Sequence, residues 1–163
     1  MPLNYIANSA VRSASGQTLP VIDPADGQTY DTIERSNAAD VDAAVQAARQ
    51  CLDGAWGRLT AAERGRLLMK LSAKVAEHAD ELAAIEQRDC GKPTKQAKAD
   101  ALALVRYFEF YAGAGDKLHG DTIPYLDGYS VLTWREPHGV TGHVIPWNYP
   151  MQIFGRSVGG ALA

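Results

Sequence analysis

The sequence has 163 residues, of which 46% are hydrophobic and 21% are charged, and this balance is typical of a folded domain and excludes a disordered or fibrous chain. A chain of this length forms about one domain and can bury roughly 70% of its unfolded surface. Its 16 Lys and Arg residues against 19 Asp and Glu residues give a net charge of −3, so it offers no electrostatic attraction to nucleic acids or anionic membranes. We therefore expect neither a nucleic-acid partner nor a membrane partner.

The cysteines and the N-terminus favour a cytoplasmic location. Cys51 and Cys90 form no Cys-x-x-Cys pair, so the sequence indicates neither a disulfide framework nor a zinc site. The first residues show no basic leader and no apolar stretch of signal-peptide length. The longest stretch without Asp, Glu, Lys or Arg, residues 137–155, contains prolines and polar side chains that a membrane-spanning helix tolerates badly.

The first part of the chain predicts short strands around a turn. β-branched and aromatic residues at Tyr5–Ile6, Leu19–Ile22 and Thr29–Ile33 are typical of strands. The turn cluster Asp23-Pro-Ala-Asp-Gly27 separates the last two of these pieces.

The next segment predicts two helices with clear start signals. Asn37, followed three residues later by Asp40, is typical of an N-cap, and the helix that it begins should end near Gly54. Thr60 and Glu63 form a capping box at the start of the second helix.

A third helix, over about residues 79–89, and a fourth follow. Gly91-Lys-Pro93 stops the third helix, because glycine accepts a left-handed cap and proline cannot continue the backbone hydrogen bonds. Thr94 is expected to cap the fourth helix. The positions expected to pack into the core are Val41, Ala44, Val45, Ala48 and Leu52 in the first helix, Leu67, Leu68, Leu71 and Val75 in the second, and Leu102, Val105, Phe108 and Ala112 in the fourth.

Beyond Gly120 the pattern predicts strands. Thr122–Tyr125 and Tyr129–Arg135 predict a hairpin around an Asp-Gly turn. Gly139–Ile145 is more continuously apolar and predicts a strand that a parallel sheet covers on both faces. Pro150 opens a further helix at its first position. The predicted fold class is therefore α/β.

No common catalytic motif is present in the sequence. It has no glycine-rich phosphate loop. His138 and His143 are five residues apart and would lie on opposite faces of a strand, so they are expected to be surface histidines and not ligands of one metal. Both cysteines lie near the C-termini of predicted helices, where the helix dipole raises a thiol pKa, so neither is expected to be a nucleophile.

The most constrained segment is Ile145-Pro-Trp-Asn-Tyr-Pro150. Each proline biases the residue before it towards extended geometry, so Asn148 should be presented rigidly at the carboxyl edge of a sheet, where open α/β proteins bind ligands. A fixed amide donor there can stabilise a developing oxyanion. The alternative is an asparagine that serves only as a turn or cap residue.

This segment and others resemble the NAD(P)-dependent aldehyde dehydrogenase superfamily. The stretch Arg135-Glu-Pro-His-Gly-Val-Thr-Gly-His-Val-Ile-Pro-Trp-Asn-Tyr-Pro150 is similar to the signature turn of that superfamily. Further matches follow in the same order along the chain: Asp23-Pro-Ala-Asp-Gly27, Asp40–Arg49, Trp56, Glu63-Arg64, Asp89-Cys-Gly-Lys-Pro93 and Tyr111–Lys117.

The resemblance implies a chemistry and a set of site residues. In the family an active-site cysteine attacks an aldehyde, a hydride passes to the nicotinamide, and water hydrolyses the resulting thioester with help from a glutamate. Asn148 would be the oxyanion-hole amide, together with the backbone amide of that cysteine. The residues that would line the nicotinamide end of an NAD or NADP site are Ile145, Pro146, Trp147 and Asn148. Ile22 and Asp89 correspond to a monovalent-cation site of some members.

The helix after Pro150 lines the aldehyde tunnel in the family. The residues that would face the tunnel are Tyr149, Gln152, Ile153 and Arg156. The position of Arg156 is also Arg in enzymes that resemble succinate-semialdehyde dehydrogenase, so a carboxylated semialdehyde is a candidate substrate. An Arg paired with a protein carboxylate is the alternative.

The resemblance also implies a division of the chain. Residues 1–120 would be the N-terminal strands and helices of the cofactor-binding domain, packed on an incomplete Rossmann-like sheet. Residues 121–137 would be strands of the oligomerisation domain of a homodimer or homotetramer, and residues 138–163 the first core strand, the Pro-Trp-Asn turn and the start of the tunnel helix.

The family's catalytic cysteine motif, its glutamate and its cofactor-phosphate turn have no counterpart in the sequence, and this leaves two hypotheses. The chain is the N-terminal part of an enzyme that oxidises an aldehyde to a carboxylic acid, in which case the 163 residues alone should be inactive. Alternatively, it is a non-catalytic, short helical binding or assembly module. The unfinished helix at Ala163 favours the first hypothesis.

Overall fold

The structure is a computed structural model that describes residues 2–163. The described residues form three two-stranded antiparallel sheets and five α-helices. The strands are β1 Asn4–Ile6, β2 Ser9–Val11, β3 Thr18–Ile22, β4 Thr29–Glu34, β5 Thr122–Ile123 and β6 Val131–Leu132. The helices are α1 Ala38–Asp53, α2 Ala61–Glu77, α3 Ala79–Cys90, α4 Thr94–Ala112 and α5 Pro150–Leu162, with a 3₁₀ turn at Gly115–Lys117. No helix within the described range is long and apolar enough to cross a bilayer.

Two hairpins open the chain. β1 pairs with β2 around Ala7 and Asn8, whose φ angles of 50° and 61° are those of a type I′ turn, and the sequence analysis did not identify β2. β3 pairs with β4 in the register Thr18↔Glu34, with an irregularity between Val21 and Ile22. The predicted strands on both sides of the Asp23–Gly27 turn are thus confirmed.

The predicted helix start signals are present, with one exception. The Asn37 side chain accepts from the backbone amides at the start of α1, and the Thr60–Glu63 capping box opens α2. Gly91 ends α3 with a φ of 66°, the left-handed geometry expected of it. The prediction for Thr94 is wrong: Thr94 is already helical, and its hydroxyl donates to Gln87 Oε1 at 2.8 Å instead of capping α4.

The core lies where α2, α4 and α5 meet. Its buried residues are Leu68, Val75, Leu104 and Phe108, and a second cluster of Ala83, Ala97 and Ala101 joins α3 to α4. Glycines permit these close approaches. A Cβ at Gly65 of α2 would lie 2.3 Å from the carbonyl oxygen of Ala112, and one at Gly155 of α5 would lie 2.9 Å from atoms of Leu104.

These contacts shift the buried faces from those that the sequence predicts. Because α2 meets α4 along Gly65 and Leu68, the neighbouring Leu67 and Leu71 remain 43% and 38% exposed. Leu102 of α4 is 57% exposed and Val41 of α1 is 58% exposed, although both were expected in the core.

The β5–β6 hairpin confirms the predicted strand pair in shortened form. Thr122 pairs with Leu132, and Gly128 turns the chain with a φ of 81°. The predicted strand at Gly139–Ile145 is not formed within residues 2–163. A parallel-sheet strand needs hydrogen-bonded neighbours, and none of the described strands lies beside this segment, so Val144 is 98% exposed.

Candidate active site

The turn between residues 145 and 149 leads directly into α5. Asn148 is exposed, and its side chain forms no hydrogen bond with any other described residue. It does not cap α5, whose N-cap residue is Tyr149, and Pro150 occupies the first helical position as predicted. The Asn148 amide therefore retains both of its donors for a ligand.

The predicted cofactor-contacting residues lie together on this turn and present apolar surface. Trp147 is 76% exposed, Pro146 is also exposed, and Ile145 is half-buried.

The end of α3 and the residues just after it contact this turn on both sides of Asn148. The Cys90 thiol donates to the carbonyl oxygen of Trp147 at 2.9 Å, and Lys92 Nζ lies 4.5 Å from the centroid of the Tyr149 ring. Burial, together with the nearby Asp89 carboxylate, raises the pKa of the Cys90 thiol. A raised pKa favours the protonated thiol, the form that donates to the Trp147 carbonyl oxygen.

A buried polar cluster lies beneath the turn. Asp100 of α4 is completely buried and accepts from Lys92 Nζ at 2.6 Å and from the amides of Gln96 and Gln152, each at 2.7 Å. Lys92 also donates to Glu86 of α3. The cluster therefore joins α3, α4 and α5 through hydrogen bonds that meet at a buried carboxylate.

The two carboxyl groups of this cluster respond differently to their burial. Burial raises the pKa of Glu86, whose Oε2 has no hydrogen-bond partner among the described residues. Burial acts in the same direction on Asp100, but the hydrogen bonds from Lys92 and the two glutamines outweigh it and lower the pKa of Asp100. Asp100 therefore keeps its negative charge to a lower pH than Glu86 does.

Sequence reasoning missed this cluster. One signal was present: Asp100 lies three residues after Ala97 and four residues before Leu104, so it falls on the buried face of α4. A carboxylate on such a face requires a partner cation, and Lys92, Lys95 and Lys98 all lie within eight residues before it in the sequence.

The predicted tunnel residues lie on one side of α5 with different neighbours. Tyr149 lies against Lys92, and the Gln152 side chain is bound to Asp100. Ile153 is half-buried. Arg156 is exposed, donates from Nε to the Tyr107 hydroxyl at 2.6 Å and from Nη2 to Gln152 Oε1 at 3.2 Å.

The predicted cation-site residues lie on adjacent elements. Tyr30 donates to Asp89 Oδ1 at 3.4 Å, and Arg88 donates to Asp23 at the same distance, so the β3–β4 hairpin contacts the end of α3. Ile22 is 52% exposed at the end of β3, and Asp89 is exposed.

The histidines form no metal site. His143 contacts the hydroxyls of Thr141 and Ser157, and no group of three His, Cys, Asp or Glu side chains within the described chain could hold a metal ion.

Comparisons with known proteins identify the family and support the fold of this chain. The aldehyde dehydrogenase family model matches residues 10–163. An aldehyde dehydrogenase family 2 member of Arabidopsis thaliana mitochondria is 43% identical over 97% of this chain and 30% of its own length. A crystal structure from Burkholderia cenocepacia named as an aldehyde dehydrogenase is 64% identical with a TM-score of 0.95 and covers 98% of this chain and 34% of its own.

A third relative is a structure of betaine aldehyde dehydrogenase from Staphylococcus aureus in complex with NAD⁺. It is 30% identical with a TM-score of 0.92 over 99% of this chain and 33% of its own. The chain spans about a third of the length of the relatives that it matches. Because the family match covers nearly all of the sequence and the fold agrees, this chain belongs to the aldehyde dehydrogenase family.

Proposed function

We propose that this chain is the N-terminal part of an enzyme that oxidises an aldehyde to a carboxylic acid with NAD or NADP. In this proposal Asn148 donates an amide N–H to the aldehyde oxygen as it becomes negative. The observation that supports this role is the presentation of Asn148: its side chain is exposed and unpartnered, while its neighbours Trp147 and Tyr149 are contacted by Cys90 and Lys92. A donor fixed before the reaction stabilises the charge without reorganisation.

The residues around Asn148 fit a nicotinamide cofactor. Val144 and Trp147 expose 98% and 76% of their surfaces, so a flat apolar ring has side chains to pack against. The cofactor, when bound, supplies the acceptor for the hydride that leaves the aldehyde carbon. Ile145 to Asn148 would position its nicotinamide end. The relative that is in complex with NAD⁺ supports the choice of cofactor.

The test is Asn148→Ala in a full-length enzyme of the family that contains this chain. We expect turnover to fall by roughly 100- to 1,000-fold, because one preorganised oxyanion donor is removed. NAD(P) affinity should change much less, and it serves as the internal control. The 163-residue chain alone should form no NAD(P)H. A variant with the wild-type turnover would refute the role of Asn148. A naturally short form of the protein that binds a partner without oxidising aldehydes would support the assembly-module alternative.

For the substrate, we propose a carboxylated semialdehyde bound by Arg156. Arg156 has no carboxylate partner among residues 2–163, and its neighbours are the Tyr107 hydroxyl and the Gln152 carbonyl. Its guanidinium lies 5.2 Å from the Tyr107 ring centroid, which holds it in place and leaves Nη1 for an anion. Tyr149 and Ile153 would line the same tunnel.

The substrate proposal is tested with Arg156→Leu. We expect kcat/KM for a carboxylated aldehyde to fall by about 10- to 100-fold, the value of a charge-assisted hydrogen bond, while kcat/KM for a neutral aldehyde of the same length stays within about twofold. An equal effect on both aldehydes would contradict the proposal.

The β5–β6 hairpin supports assembly into a homodimer or homotetramer. Its large side chains are uncovered: Tyr125, Tyr129 and Trp134 are 67%, 70% and 82% exposed. We propose that residues 121–137 form oligomerisation strands, residues 1–120 belong to the cofactor-binding domain and residues 138–163 lead into the tunnel helix.

The two free cysteines fit a reducing cytoplasm. Ile22 and Asp89 are proposed as ligands of a monovalent cation, and their location on contacting elements supports this.

A further inference from the structure

The two residues that flank Gly91 contact the two residues that flank Asn148. Cys90 donates to the Trp147 carbonyl at 2.9 Å, and Lys92 Nζ lies 4.5 Å from the Tyr149 ring centroid. Neither contact involves Asn148 itself. Together they anchor the backbone carbonyl that precedes Asn148 and the ring that follows it.

Local geometry explains why residues 90 and 92 point at the same turn. Gly91 has a φ of 66°, which reverses the chain directly after α3. A Cβ at this glycine would lie 3.0 Å from Pro24 Cγ, so the β3–β4 hairpin also packs against the reversal. The turn that carries Cys90 and Lys92 is therefore itself held in place.

The ammonium of Lys92 is immobilised by its other partners. Its side chain is only 9% exposed, and it donates to both Glu86 and Asp100. An ammonium has three donors, and the third is left for the face of Tyr149. Asp100 also binds Gln152 at 2.7 Å, and this contact holds the first turn of α5 in the same network.

We propose that Cys90 and Lys92 are positioning residues, which hold Trp147 and Tyr149 and thereby set the direction of the Asn148 amide. The proposal rests on the oxyanion role proposed for Asn148 above. A positioning role predicts that loss of either contact lowers turnover and leaves the binding of aldehyde and cofactor largely unchanged, because the misplaced donor is needed mainly in the transition state.

The test compares Cys90→Ala with Cys90→Ser in the full-length enzyme. Serine retains a donor for the Trp147 carbonyl and alanine does not. Both substitutions change the side-chain volume little, and neither removes a buried charge. We expect Cys90→Ala to lower kcat about fivefold, which corresponds to one neutral hydrogen bond, with both KM values unchanged. Cys90→Ser should keep kcat within about twofold of the wild type. Equal loss in both variants, or no loss in either, overturns the role of Cys90.

Lys92 is tested without leaving its carboxylates unpaired. The triple variant Glu86→Gln, Lys92→Met, Asp100→Asn replaces all three ionisable side chains with uncharged ones of similar volume. No buried charge is then left without a partner to destabilise the fold. We expect kcat to fall by about tenfold in this variant with KM for NAD(P) retained. A wild-type kcat in the folded triple variant overturns the role of Lys92.

Hydrogen exchange separates this proposal from the proposed function. The backbone amides in the peptide that spans residues 144–152 should exchange about fivefold faster in Cys90→Ala than in Cys90→Ser, whether or not the protein oxidises aldehydes. If the wild type forms no NAD(P)H with any aldehyde, the proposed function fails. This exchange difference would still support the contacts of Cys90 and Lys92 as the groups that hold the turn. Identical exchange in the wild type and in all three variants overturns it.

Discussion

Removal of the Asp100 carboxylate should be among the most destabilising changes in this chain. Asp100 is completely buried and accepts three hydrogen bonds, from Lys92 at 2.6 Å and from Gln96 and Gln152 at 2.7 Å. Asp100→Ala leaves the Lys92 ammonium with Glu86 alone and deprives two amides of their acceptor. A buried ion pair that loses one partner costs about 3–5 kcal/mol, and we expect a loss of unfolding free energy in that range.

The assay is urea unfolding at neutral pH, followed by circular dichroism, with the triple variant Glu86→Gln, Lys92→Met, Asp100→Asn as the control. Because that variant contains no buried charge without a partner, it should lose less free energy of unfolding than Asp100→Ala alone. A loss below about 1 kcal/mol for Asp100→Ala, the size of an ordinary exposed hydrogen bond, would refute the reasoning. A triple variant less stable than Asp100→Ala would refute it as well.

Two further predictions concern packing and acid stability. Gly65→Ala should lower the free energy of unfolding by about 1–3 kcal/mol, because its Cβ would lie 2.3 Å from the Ala112 carbonyl oxygen. Gly142→Ala is the control and should change it little, because a Cβ there would have no atom within 4 Å. Equal melting temperatures for the two variants would contradict this prediction. The backbone amide of Ala14 and two further donors lower the pKa of Asp40 in the folded state. The stability that this carboxylate contributes is therefore present above about pH 4 and is lost as the pH falls through the folded pKa. Asp40→Asn should consequently unfold with less pH dependence between about pH 5 and 3, and urea midpoints across that range would show it.

The parts of the fold that the sequence predicted well depend on local chemistry. The Asn37 and Thr60 caps need only side chains three residues apart, and Gly91 needs only its own backbone freedom. The β3–β4 and β5–β6 hairpins follow from turn residues that lie between the paired strands. Such signals do not depend on which other element packs nearby.

The parts that it predicted poorly depend on distant partners. Periodicity placed Leu67 and Leu71 in the core, but the contact of Gly65 with α4 selected the neighbouring face of α2. The strand predicted at Gly139–Ile145 requires a hydrogen-bonding neighbour, and no described strand provides one.

The candidate site shows the same division. The prolines around Asn148 and the family resemblance predict this turn from the sequence alone. The contacts that hold the turn, from Cys90 to Trp147 and from Lys92 to Tyr149, join residues more than fifty positions apart. No pattern within either segment indicates that they meet, so only the fold could reveal them.

The most direct test of the account is the rate of NAD(P)H formation with saturating aldehyde and cofactor by the full-length protein and by its Asn148→Ala variant. The account predicts aldehyde-dependent NAD(P)H formation by the wild type and a rate roughly 100- to 1,000-fold lower in the variant at nearly unchanged cofactor affinity. Equal rates in the two proteins would contradict the assignment of Asn148 as the oxyanion donor, and no aldehyde-dependent signal in the wild type would contradict the proposed reaction itself.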